Sequence, residues 1–170
     1  MYKIKRAHVY LLIFAALILQ AGVLNHLEIL GSKPDLMTAL VIFFGLFLGS
    51  GMGLGSGLLA GFLKDIFALD YFWMNTFTLG LTGLVVGAIS AKFFKESKRA
   101  EFIIALVFTA FFMSLHYFFT LLFSKYLAIG YREYFFSSII PGSIYTGLLS
   151  IPLYALLINS YNLKEVDDFI

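Results

Sequence analysis

Cysteine is absent from the 170 residues, which removes disulfides, thiolate metal sites and cysteine nucleophiles. Charge is scarce as well. Asp, Glu, Lys and Arg make up 13% of the chain, against roughly 25% in a soluble domain. The three histidines, His8, His26 and His116, stand far apart with no H-x-x-x-H or H-E-x-x-H spacing, so no metal site is expected. No serine–histidine–acid set, P-loop or pair of catalytic carboxylates is present, so neither an enzyme nor a cofactor is expected. Gly53-x-Gly55-x-Gly57 only superficially resembles a nucleotide loop, because an apolar helical run precedes it rather than a strand. A net charge of +2 is too small to suggest nucleic-acid binding.

What the chain has is apolar surface. Hydrophobic residues make up 61% of it, aromatic residues 18%, and its mean hydropathy is +0.92. A water-soluble fold of this length cannot hide so much apolar area, so membrane lipid is expected to cover part of it. A membrane-crossing helix needs about 20 mainly apolar residues. The expected fold is all-α: a single transmembrane domain forming a polytopic six-helix bundle. Its spans are expected at about residues 7–24, 36–49, 53–69, 75–94, 102–123 and 139–159. The first run, Ala7 to Leu24, is longer than the roughly 7–15 residues of a signal-peptide core and lacks a small-residue cleavage site, so it is expected to be a retained span. The stretch from Asp35 to Leu69 is too long for one crossing. Its central glycines permit a reversal, expected as a tight turn near Ser50-Gly51-Met52.

With six spans, Lys3, Lys5, Arg6, Lys92, Lys95, Lys98, Arg99 and Lys164 fall on one side, and Lys33, Lys125 and Arg132 on the other. The positive-inside rule then predicts both termini in the cytoplasm. Tyr126, Tyr131, Tyr134, Phe135 and Phe136 lie in the predicted outer loop, Ser124 to Ser138. There Tyr131 to Tyr134 is expected to lie along the surface, as interfacial anchors or a docking face.

Glycine recurs at every fourth position in Gly45, Gly49, Gly53, Gly57 and Gly61, and Asp65 continues the series. Residues four apart share a helix face. Gly53, Gly57, Gly61 and Asp65 thus form one nearly bare stripe, suited to close packing against a helix of this chain or of a partner. Gly80, Gly83 and Gly87 repeat the device, so spans three and four are expected to meet. Asp65 should accept hydrogen bonds from a neighbouring helix. Lys64, about 100° away on the helix, is expected to reach the outer headgroups. Tyr71, Trp73 and Asn75, with Asp65, could line an outer pocket.

Together these residues resemble the rod shape-determining MreD family. Lys33-Pro34-Asp35-Leu36 opens span two, and Gly57-Leu58-Leu59-Ala60-Gly61-Phe62-Leu63-Lys64-Asp65-Ile66 resembles that family's glycine, glycine-phenylalanine, aspartate segment. Leu69-Asp70-Tyr71-Phe72-Trp73-Met74-Asn75 departs from the small-residue turn the family usually has there. The resemblance implies a non-enzymatic scaffold of the cell-elongation complex in the bacterial plasma membrane. Such a scaffold binds MreC and acts indirectly with MreB, RodA and its partner transpeptidase in peptidoglycan synthesis and cell-shape control. A second expectation is the substrate-binding S component of an energy-coupling-factor vitamin importer, which is also a compact six-helix bundle.

Overall fold

The computed structural model describes residues 6–22, 32–67, 73–90, 98–123 and 129–161. Among them every regular element is a helix: α1 (Arg6–Gly22), α2 (Leu36–Leu48), α3 (Ser50–Phe67), α4 (Met74–Ile89), α5 (Lys98–Phe123), the short α6 (Tyr131–Tyr134) and α7 (Ile140–Ser160). A π-helical stretch, Phe135–Ile139, joins α6 to α7 without a break. The chain from Tyr131 to Ser160 is therefore one 30-residue helix. Tyr131 to Tyr134 is its first turn, not a segment of surface loop as expected. The predicted loop ends and the tail, residues 23–31, 68–72, 91–97, 124–128 and 162–170, lie outside the described residues.

α2 is the axle of the fold. Every residue from Leu36 to Phe47 is buried, and α1, α3, α4, α5 and α7 all pack on it. A helix apolar all round has no solvent face to keep; here the Phe43 ring meets Phe44 edge-on and Phe47 and Tyr154 at a tilt. The Tyr154 hydroxyl donates to the Ala39 carbonyl at 2.9 Å, which satisfies the one polar atom that this buried ring carries. The outer helices are one-sided. In α1 only Val9, Ile13 and Ala16 are buried, while Leu11, Phe14, Ile18 and Leu19 are exposed. That spacing marks a single inward face.

The reversal between α2 and α3 falls at Gly49, not at Ser50-Gly51-Met52. Gly49 has φ 84° and ψ 179°, a region that side chains disfavour, and α3 already begins at Ser50. Pro141, just after the π-helical stretch, has no N–H to give the Ser137 carbonyl four residues before it, and the Ser32 hydroxyl lies 3.4 Å from the carbonyls of Ser137 and Ser138.

Two described helices, Arg99–Phe123 and Tyr131–Ser160, are long and apolar enough to cross a membrane. Arg6–Gly22, Leu36–Leu48 and Met74–Ile89 are apolar but shorter.

Candidate functional site

The site lies at the end of the bundle where α2, α4 and α7 start and α3 finishes. Its construction begins with the seam between α3 and α4, the most extensive helix contact in the fold. A Cβ on Gly53 would strike the carbonyl of Gly83, one on Gly57 the carbonyl of Leu79, and one on Gly61 the carbonyl of Asn75. From the other side, Gly83 faces the Gly53 carbonyl and Gly87 faces the backbone of Ser50. Gly53, Gly57, Gly61, Gly83 and Gly87 thus bring two backbones into direct contact inside this one chain.

Asp65 ends the stripe and caps the next helix. Its Oδ2 accepts from the Trp73 N–H at 3.0 Å, the Thr76 N–H at 2.9 Å and the Thr76 hydroxyl at 2.5 Å. Its Oδ1 accepts from the Asn75 N–H and side-chain amide, both at 3.0 Å. The first N–H groups of a helix lack partners within it, and here α3 supplies the acceptor across the seam. Trp73, which opens α4, has φ 97°, a left-handed conformation costly for a bulky residue; the bond to Asp65 holds it there. Five donors fill the carboxylate's acceptor sites, so Asp65 is committed to the fold.

Lys64 turns the other way. Its half-buried side chain brings the ammonium to Asp35 Oδ2 at 2.5 Å and to 5.0 Å from the centre of the Phe112 ring. Asp35 is itself the N-cap of α2: Oδ1 accepts from the Thr38 N–H at 3.0 Å and Oδ2 from the Thr38 hydroxyl at 2.6 Å. Two more side chains hold this corner. The Thr146 hydroxyl of α7 accepts the Asp35 N–H at 3.0 Å. Gln20 of α1 accepts the Leu36 N–H at 2.9 Å and donates to the Pro34 carbonyl at 3.0 Å.

Above this corner lies a partly open cavity of about 140 Å3. Lys33, Asp35, Lys64, Asn75, Thr109, Phe112, His116, Tyr134 and Thr146 are among the residues lining it. Thr109 is 1% exposed, and its hydroxyl has no hydrogen-bond partner among the described residues. Of the residues expected to form an outer pocket, only Asn75 lines this cavity. Trp73 instead stands edge-on against Phe119 and Phe123 of α5, Asp65 is spent on capping, and Tyr71 lies outside the described residues. Sequence reasoning missed Gln20, Thr109 and Thr146, which are lone polar residues within apolar helices. Among the described residues, no group of three or more His, Asp or Glu side chains could hold a metal ion.

Comparison with known proteins corrects the family expected from sequence. The family model of the ECF transporter substrate-specific component matches residues 9–159. No curated protein and no solved structure matches the chain. The match overturns the resemblance to MreD, and with it the scaffold role in cell elongation and the partners MreC, MreB, RodA and its transpeptidase. The physical reason is visible in the seam. The segment from Gly57 to Asp65 that carried the resemblance encodes backbone packing and a helix cap, which are folding requirements and carry no information about a partner. The match also places the chain in a membrane. Extending over nearly all of the described fold, it shows that the chain belongs to the family of ECF transporter substrate-specific components.

Proposed function

We propose that this chain is the solute-binding subunit of an importer. It would take a small water-soluble molecule into the cavity beside Lys64 and deliver it across the membrane together with an energy-coupling module, doing no covalent chemistry itself. The observation that carries this reading is the cavity. It is a concave, mixed polar and aromatic space that leaves a buried hydroxyl unpartnered, in a chain of a substrate-binding family. Pockets that enclose whole drug-sized ligands have about 300–1,000 Å3. A cavity of about 140 Å3 therefore suits a small solute, or one end of a larger one whose remainder projects from the open side.

The proposed topology is six crossings within a single domain, N-in and C-in. Its spans are α1, α2, α3, α4, α5 and the continuous helix formed by α6, the π-helical stretch and α7. The distribution of lysine and arginine along the sequence supports this orientation, and it puts the cavity on the outer side, where a solute would arrive. The short α2, at 13 residues, about 20 Å long, is compatible with it. Protein rather than lipid surrounds α2, so it need not match the bilayer thickness.

The test is association and uptake. The chain, expressed with an energy-coupling module, should co-purify with it and confer ATP-dependent uptake of a small solute; mass spectrometry of the isolated chain should find that solute retained. A chain that neither joins such a module nor retains a small molecule would refute the proposal.

A further inference from the structure

We infer that the cavity recognises an uncharged carboxamide-type group, a carbonyl beside an N–H, and that Asn75 reads the N–H. This rests on the reading of the chain as a solute-binding subunit and adds the chemistry of what is bound. The side chain of Asn75 has a donor end and an acceptor end. Its Nδ2 donates to Asp65 Oδ1 at 3.0 Å. A carboxylate that already takes five donors has no proton to offer the other end, so the amide is held one way round. Its Oδ1, which accepts no hydrogen bond among the described residues, is the end left for the cavity that Asn75 lines. Asp65 is thereby the positioning residue for Asn75.

The opposite demand comes from α5 and α7. The buried Thr109 hydroxyl has no partner among the described residues, and its proton needs an acceptor even where its oxygen accepts. The Thr146 hydroxyl accepts the Asp35 N–H and keeps its own proton to give. Both border the same space as Asn75. A bound group therefore meets every demand when it shows an acceptor to these hydroxyls and a donor to Asn75. Because the demands lie on different helices, they suit a donor and an acceptor on separate atoms, as in an amide, a lactam or a urea. The charged side chains do not decide the class: Lys64 and Asp35 neutralise each other, and Lys33 has an interaction of its own. His116 Nδ1 is buried and unsatisfied, but such a nitrogen donates or accepts according to tautomer and serves either end of the group. Phe112 and Tyr134 add aromatic walls, which suit a flat one.

The test uses the full chain purified in detergent and pairs of neutral probes of equal shape, benzamide with acetophenone and nicotinamide with 3-acetylpyridine. Within each pair a methyl replaces the NH2 and the carbonyl stays, so only the donor is lost. Binding is measured by titration calorimetry and by the shift in unfolding temperature. At least one amide should bind saturably and about three- to tenfold more tightly than its ketone, which leaves Asn75 Oδ1 facing a methyl group. Asn75→Ala keeps the backbone N–H on Asp65 and should bring that ratio close to one by weakening the amide alone. Thr109→Val should weaken amide and ketone alike by several-fold and leave the ratio as it was, since both probes keep the carbonyl. A merely structural role for either residue would not move affinity and ratio in these separate ways. Partition into detergent is common to all variants, so a change in ratio belongs to the protein. Should Asn75→Ala fail to fold, the ratio in the parent chain and its persistence in Thr109→Val decide the matter.

Ketones bound as tightly as amides by the parent chain, no saturable binding of either amide, or an unchanged ratio in Asn75→Ala would overturn the assignment. Association with the energy-coupling module is scored separately. A chain that joins the module yet shows no preference for amides sinks only the carboxamide assignment, and one that prefers them but never joins the module sinks only the importer reading.

Discussion

Replacing Gly57 by alanine places one methyl group between α3 and α4. On the present backbone its Cβ would stand 2.7 Å from the carbonyl carbon of Leu79 and 2.9 Å from the Cα of Gly80. Both obstacles are backbone atoms of a helix, so no rotamer change relieves them. Ordinary contact begins at 3.4 Å; relieving the carbonyl carbon alone parts the helices by about 0.7 Å, and the Leu79 carbonyl oxygen, nearer still, demands more. Because Gly53 and Gly61 seat the same two backbones, that displacement loosens the whole seam. Overpacking of this kind costs about 1–3 kcal/mol, against a gain in helix propensity of about 0.8–1.0 kcal/mol for Gly to Ala. Gly55, two residues away, supplies the control, since a Cβ there meets nothing within 4 Å. Gly55→Ala gains the propensity without the clash. The shared propensity cancels, and Gly57→Ala should be less stable than Gly55→Ala by about 1–3 kcal/mol. Far-UV circular dichroism of both purified variants in the same detergent, followed through unfolding, measures the difference. Equal stability of the two would show that α3 and α4 do not meet backbone to backbone.

Asp65→Asn should destabilise the chain by about 2–4 kcal/mol, since an amide NH2 turned toward backbone N–H groups loses at least two charge-assisted bonds; unfolding in detergent reads this out. Gln20→Leu should cost about 1–3 kcal/mol in the same assay, because the Leu36 N–H at the start of α2 is left without its acceptor. Gly49→Ala should cost about 1–3 kcal/mol through its positive φ, whereas Gly51→Ala, where a Cβ meets open space, should leave stability near that of the parent chain.

The helices were legible because their signal is periodic and local. Apolar stretches separated by polar or glycine-rich punctuation become α-helices among the described residues. The turn between α2 and α3 was placed late for a definite reason. Gly49, Gly51, Gly53, Gly55 and Gly57 are equivalent to a composition argument, yet Gly49 alone among them takes a positive φ, and tertiary packing makes that choice. The helical start of the last span was hidden in the same way, since the aromatic and charged residues Tyr131 to Tyr134 suit an interface whether helical or not. The site was harder still. Its hydrogen bonds join residues distant in sequence, 111 positions apart for Asp35 and Thr146 and 29 for Asp35 and Lys64. A lone threonine in an apolar helix gives no sign of which way it faces.

The Lys64-Asp65 pair shows why the strongest sequence signal did not lead to the site. Two adjacent ionisable residues in an apolar helix attract a functional reading together, but neighbours on a helix point about 100° apart and serve different elements. Asp65 continues the glycine face and is consumed in capping α4, while Lys64, off that face, joins α2 through Asp35 and overlooks the cavity. Family resemblance built on the glycine–aspartate pattern followed the structural half of the pair. The half that borders the cavity is a lysine whose partner, Asp35, lies in the segment opening the second helix. Because both residues ride on the same turn of α3, the seam that locks Asp65 against α4 also fixes where the Lys64 ammonium can reach. Close packing of bare glycines and the placement of one charge beside the cavity are thus two consequences of a single helix position.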